Sequence, residues 1–168
     1  MAELKYKIGD ATNPEEDGHK YIIHVTNTVN AFGAGFVLAL KKKWPETEWY
    51  YRKAISECIE NKTNPLGKIY SVPVETDITV VHMMAQVFLN VRYDKDGNKT
   101  IPLSYEALET CLDKVCELVL GSKEKACITA PRFGSALAGG SWETIEKLIM
   151  KCLVDNGVGV TIYDLPRS

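Results

Sequence analysis

Leu4–Ile8 alternates apolar and polar side chains, the period of a half-buried strand, and Tyr21–Val25 is the short apolar run of a central one. Gly33–Trp44 changes to helical spacing, with Val37, Leu40 and Trp44 on one face and Pro45 as the stop. Thr47–Asn61 keeps that spacing through Tyr51, Ala54, Ile55, Cys58 and Ile59. Gly67–Val74 and Ile78–Met84 read as strands about a turn at Glu75–Asp77. Ser104 caps a helix that runs to Leu120, striped by Leu108, Cys111, Leu112, Val115 and Val119 and ended by Gly121. Ala126–Ala130 is a short strand stopped by Pro131. Ser141 caps the last helix, with Ile145, Leu148, Ile149, Cys152 and Leu153 inward, and Val158, Val160 and Ile162 alternate in a final strand. Ala11–Lys20 and Tyr93–Thr100 read as polar loops, the second carrying the turn signal Asp96-Gly97. Helices over both faces of a buried sheet predict an α/β fold, a three-layer α/β/α sandwich.

A length of 168 residues fits one domain, taken as 1–168, with core enough to need no disulfide or metal staple. Hydrophobic and charged shares of 45% and 25% exclude a disordered or collagen-like chain. Twenty basic against 22 acidic residues leave a charge of −2, so no broad nucleic-acid surface is expected. No apolar run is long enough for a membrane span and no apolar signal core opens the chain, so a cytoplasmic monomer is expected. Five cysteines with no CxxC pair argue against a disulfide framework and a zinc site. They are expected to be buried thiols, with a catalytic thiol as the lesser alternative. No metal and no cofactor is called for.

Three glycine-bearing turns each follow a predicted strand, where α/β domains bind ligands. In Gly9-Asp10-Ala11-Thr12 the carboxylate either accepts from an exocyclic amine or, the favoured reading, caps its own turn. Asn27 through Phe36 ends at a helix start near Gly35, whose free N–H groups suit an anion. The dinucleotide fingerprint fails there, because Leu38 holds the third glycine position. Pro131 through Trp142 also enters a helix, with Ser135, Ala136 and Ala138 too small to shield the main chain; a P-loop is excluded because Gly139 is followed by Gly140. Each turn taken alone also fits a plain connection or hinge. Two anion-friendly turns beside one crevice point to a diphosphate between them.

GDAT, HVTN with GAGF six residues later, LKKKWP, LSYEAL, PRFGSALAGGSWE and TIYDL, from Leu4 to Leu165, together resemble the macro domain. The nearest branch holds terminal ADP-ribose protein glycohydrolase and the ADP-ribose 1″-phosphate phosphatases. The resemblance implies a mixed, mostly parallel sheet between helices, and ADP-ribose or an ADP-ribosylated macromolecule as partner. It places Asp10 and Ala11 on the adenine side and Asn27 at the distal ribose. Gly33, Ala34, Gly35 and Phe36 would line one side of the diphosphate. Arg132, Phe133, Gly134, Ser135, Ala136, Leu137 and Ala138 would close the other, and Leu165 would pack near the adenosine.

The departures are as informative. The glycohydrolase's attacking lysine and assisting aspartate fall on Gln86 and Ala138, neither of which can do that chemistry. His24, which matches a histidine of the phosphatase branch, and Asn27, as a water-orienting amide, are the remaining catalytic candidates. Strand alternation expects His24 on the opposite face from Asn27, and a buried structural role is the favoured alternative for it and for His82. His19 is expected to be solvated. Trp44, Trp49 and Trp142 are expected in the core or flanking helices, with Phe36 and Phe133 better placed to touch a ligand. Three readings remain: a hydrolase removing ADP-ribose from a macromolecule or phosphate from ADP-ribose 1″-phosphate, a non-catalytic ADP-ribose reader, and an unrelated nucleotide-binding domain.

Overall fold

The computed structural model describes residues 1–166. Six strands form one sheet in the order β1-β8-β7-β2-β4-β3. They are β1 (Leu4–Ile8), β2 (His19–Asn27), β3 (Ile69–Glu75), β4 (Ile78–Gln86), β7 (Ala126–Ala130) and β8 (Val160–Asp164). Every neighbouring pair is parallel except β3 with β4, so the sheet is mixed and mostly parallel. The central strands are apolar without alternation because both faces are covered: β4 is buried from Ile78 to Ala85.

The helices α1 (Phe36–Lys43) and α2 (Glu46–Glu60) cover one face, and α3 (Tyr105–Leu120) and α4 (Trp142–Cys152) cover the other. Tyr21 and Ile23 of β2 pack with Leu108, Leu112, Ile145 and Ile149, while Ile22 between them packs with Leu40 and Trp44. This period-two division of one strand between two helical layers makes the three-layer sandwich. Ser104 and Ser141 cap α3 and α4 as the sequence predicts, accepting from the N–H groups of Ala107 and Thr144. Ser104→Ala should lower stability by about 1 kcal/mol. In urea this would appear as a lower midpoint with unchanged slope.

Three local expectations are corrected. Tyr93–Thr100 is a hairpin, β5 (Arg92–Tyr93) with β6 (Lys99–Thr100), because the Asp94 carboxylate gathers the N–H groups of Asp96 and Asn98 at 2.9 and 2.8 Å and closes the turn. His19 is half-buried at the start of β2, its Nε2 2.8 Å from Thr79 Oγ1, rather than solvated. Trp49, expected in the core or flanking a helix, is 58% exposed on α2. Among the described residues no helix is long and apolar enough to cross a membrane. Cys58, Cys111, Cys116 and Cys152 are buried and Cys127 is half-buried, all unpaired.

Candidate functional site

From β2 the chain goes one way across the sheet to β4 and β3, and later the other way to β7 and β8. The carboxyl ends of β2 and β7 therefore flank the point where strand order reverses, and their exit loops diverge around a crevice. The loops are residues 28–35 after β2 and 131–141 after β7. Between them, with the end of β4, lies a cavity of ≈ 350 Å³.

Of the residues expected at a ligand, His24, Asn27, Gly33, Ala34, Gly35, Phe36, Arg132, Phe133, Gly134, Ala136, Leu137 and Ala138 line the cavity. Asp10, Ala11, Ser135 and Leu165 do not. Asp10 caps its turn, accepting from the Thr12 N–H and hydroxyl at 2.8 Å, while Leu165 is 72% exposed. Gln86 lines it too, at the position matched to the glycohydrolase's lysine, whereas Leu89 and Asn90 were not anticipated. They arrive because the chain after β4 folds back, with the Val87 N–H on the Pro102 carbonyl and the Leu103 N–H on the Ala138 carbonyl. The apolar segment after β4 gave no local sequence signal of that return.

Among the described residues, the main-chain N–H groups of Gly33, Ala34, Gly35 and Phe36, and of Gly134 through Ala138, have no hydrogen-bond partner in the protein. All of these residues but Ser135 line the cavity, so two arcs of unpaired donors border one cleft. Gly35 is the N-cap of α1 at φ 80°, ψ −149°, a conformation essentially confined to glycine. A Cβ there would lie 4.0 Å from Leu137 Cδ1, so space is not what excludes a side chain. Gly35→Ala should therefore keep the fold but turn the arc away, at a conformational cost of roughly 1–3 kcal/mol. Urea unfolding would read this as a lower midpoint with an unchanged slope.

Among the described residues, His24 and Arg132 are the only ionisable side chains lining the cavity, and none of them sets a carboxylate there against an anion. Arg132 is itself committed. It forms a two-toothed pair with Asp164 at 2.8 and 3.0 Å, holding that carboxyl below its usual range, and its guanidinium lies over the rings of Tyr6 and Trp142. It ties the loop after β7 to the end of β8.

Asn27 organises the other loop. Its Oδ1 accepts from the N–H groups of Val29 and Ala31 at 3.1 Å and from the Tyr51 hydroxyl at 2.7 Å, and its Nδ2 donates to the Ala31 carbonyl at 2.8 Å. One Nδ2 hydrogen remains for a water or ligand. His24 lies on the same side of the sheet as Asn27, contrary to strict alternation. Asn27 is the last residue of β2 and turns its amide to Tyr51 of α2, beside a register slip whose extra residue, Ala85, lies in β4. His24 Nε2 is 2.7 Å from His82 Nδ1, and burial, then the second histidine, pushes the His24 pKa well below its ordinary value. Gln86 and Ala138 line the cavity, so the positions of the missing lysine and aspartate border the site without an amine or a carboxylate. Among the described residues no three His, Cys, Asp or Glu side chains converge as a metal site.

The mostly parallel sheet, the crevice at the reversal point and the unpaired main-chain donors along it define an α/β domain whose cleft has the size and polarity to suit an anionic ligand. No established family profile and no curated protein sequence matches the chain. Solved structures do. A macrodomain protein from Streptomyces coelicolor is 36% identical over 96% of this chain and 99% of that one, with a TM-score of 0.80. A protein of unknown function from Bacteroides thetaiotaomicron is also 36% identical, over 98% and 99%, with a TM-score of 0.87. Thermosipho africanus DarTG, solved in complex with ADP-ribose, shares the fold at 19% identity, over 87% of this chain and 38% of that one, with a TM-score of 0.63. The chain belongs to the macrodomain family.

Proposed function

We propose that the cleft binds ADP-ribose, its diphosphate lying between the turn at Gly33–Phe36 and the loop at Gly134–Ala138. The observation that carries this is the pair of unpartnered N–H arcs facing a cavity free of carboxylates. Three or four hydrogen bonds to charged oxygens, at roughly 1.5–3 kcal/mol each, offset much of an association cost of roughly 4–15 kcal/mol. Base and ribose contacts then bring the total toward the −8 kcal/mol of a micromolar ligand. The DarTG structure, solved in complex with ADP-ribose and sharing this fold over 38% of its chain, supports the choice of ligand. On this reading the adenine lies toward the ends of β1 and β8 and the distal ribose toward Asn27, Gln86 and Asn90, which border the cavity.

On that pose the protein hydrolyses ADP-ribose from a modified macromolecule, or the phosphate from ADP-ribose 1″-phosphate, through a water held by the free Asn27 N–H and the ligand itself. A second reading, a reader without turnover, is favoured by the neutral lining at Gln86 and Ala138. Titration with ADP-ribose and AMP, then a hydrolysis panel at high protein concentration, separates them. Binding with turnover supports the hydrolase, and binding without it supports the reader. AMP binding as tightly as ADP-ribose removes both.

A further inference from the structure

We propose that His82, which lies outside the cavity lining, locks His24 in the tautomer whose Nδ1 is a bare acceptor opening on the cleft, so that the site selects a sugar hydroxyl next to the diphosphate over a further anionic oxygen. This rests on the ADP-ribose reading above.

The lock follows from one fixed acceptor. His82 Nε2 is 2.9 Å from the Thr47 main-chain oxygen, which can only accept, so that nitrogen carries the hydrogen. A neutral imidazole has one N–H, which leaves His82 Nδ1 as a lone pair. His24 Nε2, 2.7 Å from it, must then donate, and His24 Nδ1 has no hydrogen. Burial keeps both rings neutral near pH 7, with the His82 pKa down to about 4. Phe32 and Tyr51 stand edge-on and tilted against the His82 ring at 5.8 and 5.9 Å and hold its plane.

The orientation of Nδ1 follows from what it lacks. It has no partner among the described residues, yet the only sealed, unpartnered side-chain N or O atom among them is Thr129 Oγ1. His24 is 2% exposed and borders the cavity, so Nδ1 opens there. Phe36, the first residue of α1 after the donor arc, stands edge-on to the His24 ring at 5.7 Å. A lone pair beside the diphosphate repels an anionic oxygen and accepts from a hydroxyl. ADP-ribose supplies hydroxyls at that end of its diphosphate, whereas ADP ends there in charged oxygens.

The test uses the full ¹⁵N-labelled chain. Two-bond ¹H–¹⁵N spectra of the free protein should show both histidines with hydrogen on Nε2 alone. Saturating ADP-ribose should move the His24 Nδ1 resonance toward hydrogen-bonded values, and ADP should not. His24→Phe should cut the preference for ADP-ribose over ADP by about fivefold. His82→Phe should give mixed His24 tautomers and a loss in the same direction. Hydrogen on Nδ1 in the free protein, an Nδ1 unmoved at saturation, or an unchanged preference in His24→Phe each overturns the proposal, and the wild-type spectra decide it even where a variant fails to fold. Binding with a silent His24 removes this inference and leaves the ADP-ribose reading, while no binding at all removes that reading and the ligand selectivity with it.

Discussion

Asn27→Ala is expected to lower stability by about 2–3 kcal/mol and ADP-ribose affinity by at least tenfold. The substitution deletes the acceptor shared by the Val29 and Ala31 N–H groups and the donor to the Ala31 carbonyl. Each such bond contributes about 1 kcal/mol, and the loop they brace leads directly into the donor arc at Gly33–Phe36. Tyr51 is not orphaned, because its hydroxyl also donates to the Asn27 main-chain oxygen at 2.7 Å. That limits the loss and keeps the variant measurable. Asn27→Asp keeps the acceptors but sets a carboxylate against the Ala31 carbonyl and beside the anion site, so affinity should fall with it as well. Chemical denaturation and calorimetry on the same preparations check both. Full stability and affinity in Asn27→Ala, with turnover alone lost, would replace this scaffolding role with a direct one in the chemistry.

Acidification from about pH 6.5 to 4 is expected to remove roughly 3 kcal/mol of stability through His82 alone. Its folded pKa is about 4 against an ordinary value of 6.5, because burial penalises the imidazolium. Between those values the unfolded chain binds a proton that the folded one refuses. The stability is therefore fully present above about pH 6.5 and drains away as the pH falls toward 4. His24, also lowered by burial, adds to the loss in the same direction. The carboxylates that the fold holds below their usual range, such as Asp77 and Asp164, are lost lower still, so the slope above about pH 4.5 belongs to the histidine pair. Urea unfolding at about pH 7, 5.5 and 4.5 reads it, and a flat profile over that range would show that these rings are not held neutral by burial.

Much of the architecture was legible from local pattern. The unbroken apolar run at Tyr21–Val25 marks a strand covered on both faces, and the Ser104 and Ser141 caps place two helix starts to the residue. The two glycine-bearing turns were legible as donor arcs because small side chains leave the main chain bare. The hairpin at β5–β6 was not, since nothing in the alternation of so short and polar a stretch separates a ladder from a loop. Nor was the common side of His24 and Asn27, since Asn27 ends β2 and its amide is turned by the Tyr51 hydroxyl, a contact 24 residues away in the chain. Asp10 shows the limit of a short motif: the same carboxylate could satisfy either a ligand or its own turn, and in the folded chain it satisfies the turn.

The amino-acid sequence by itself determined where strands and helices form, the layering, and the two segments with exposed amides, because these follow from hydrophobic period, caps and side-chain size within a few residues. Only the tertiary structure decided that Arg132 is spent on Asp164, that Leu89 and Asn90 reach the site, and that His24 Nε2 meets His82 Nδ1. Each of these is a contact between residues far apart in the chain, fixed by strand order and register, and no local pattern encodes the partner.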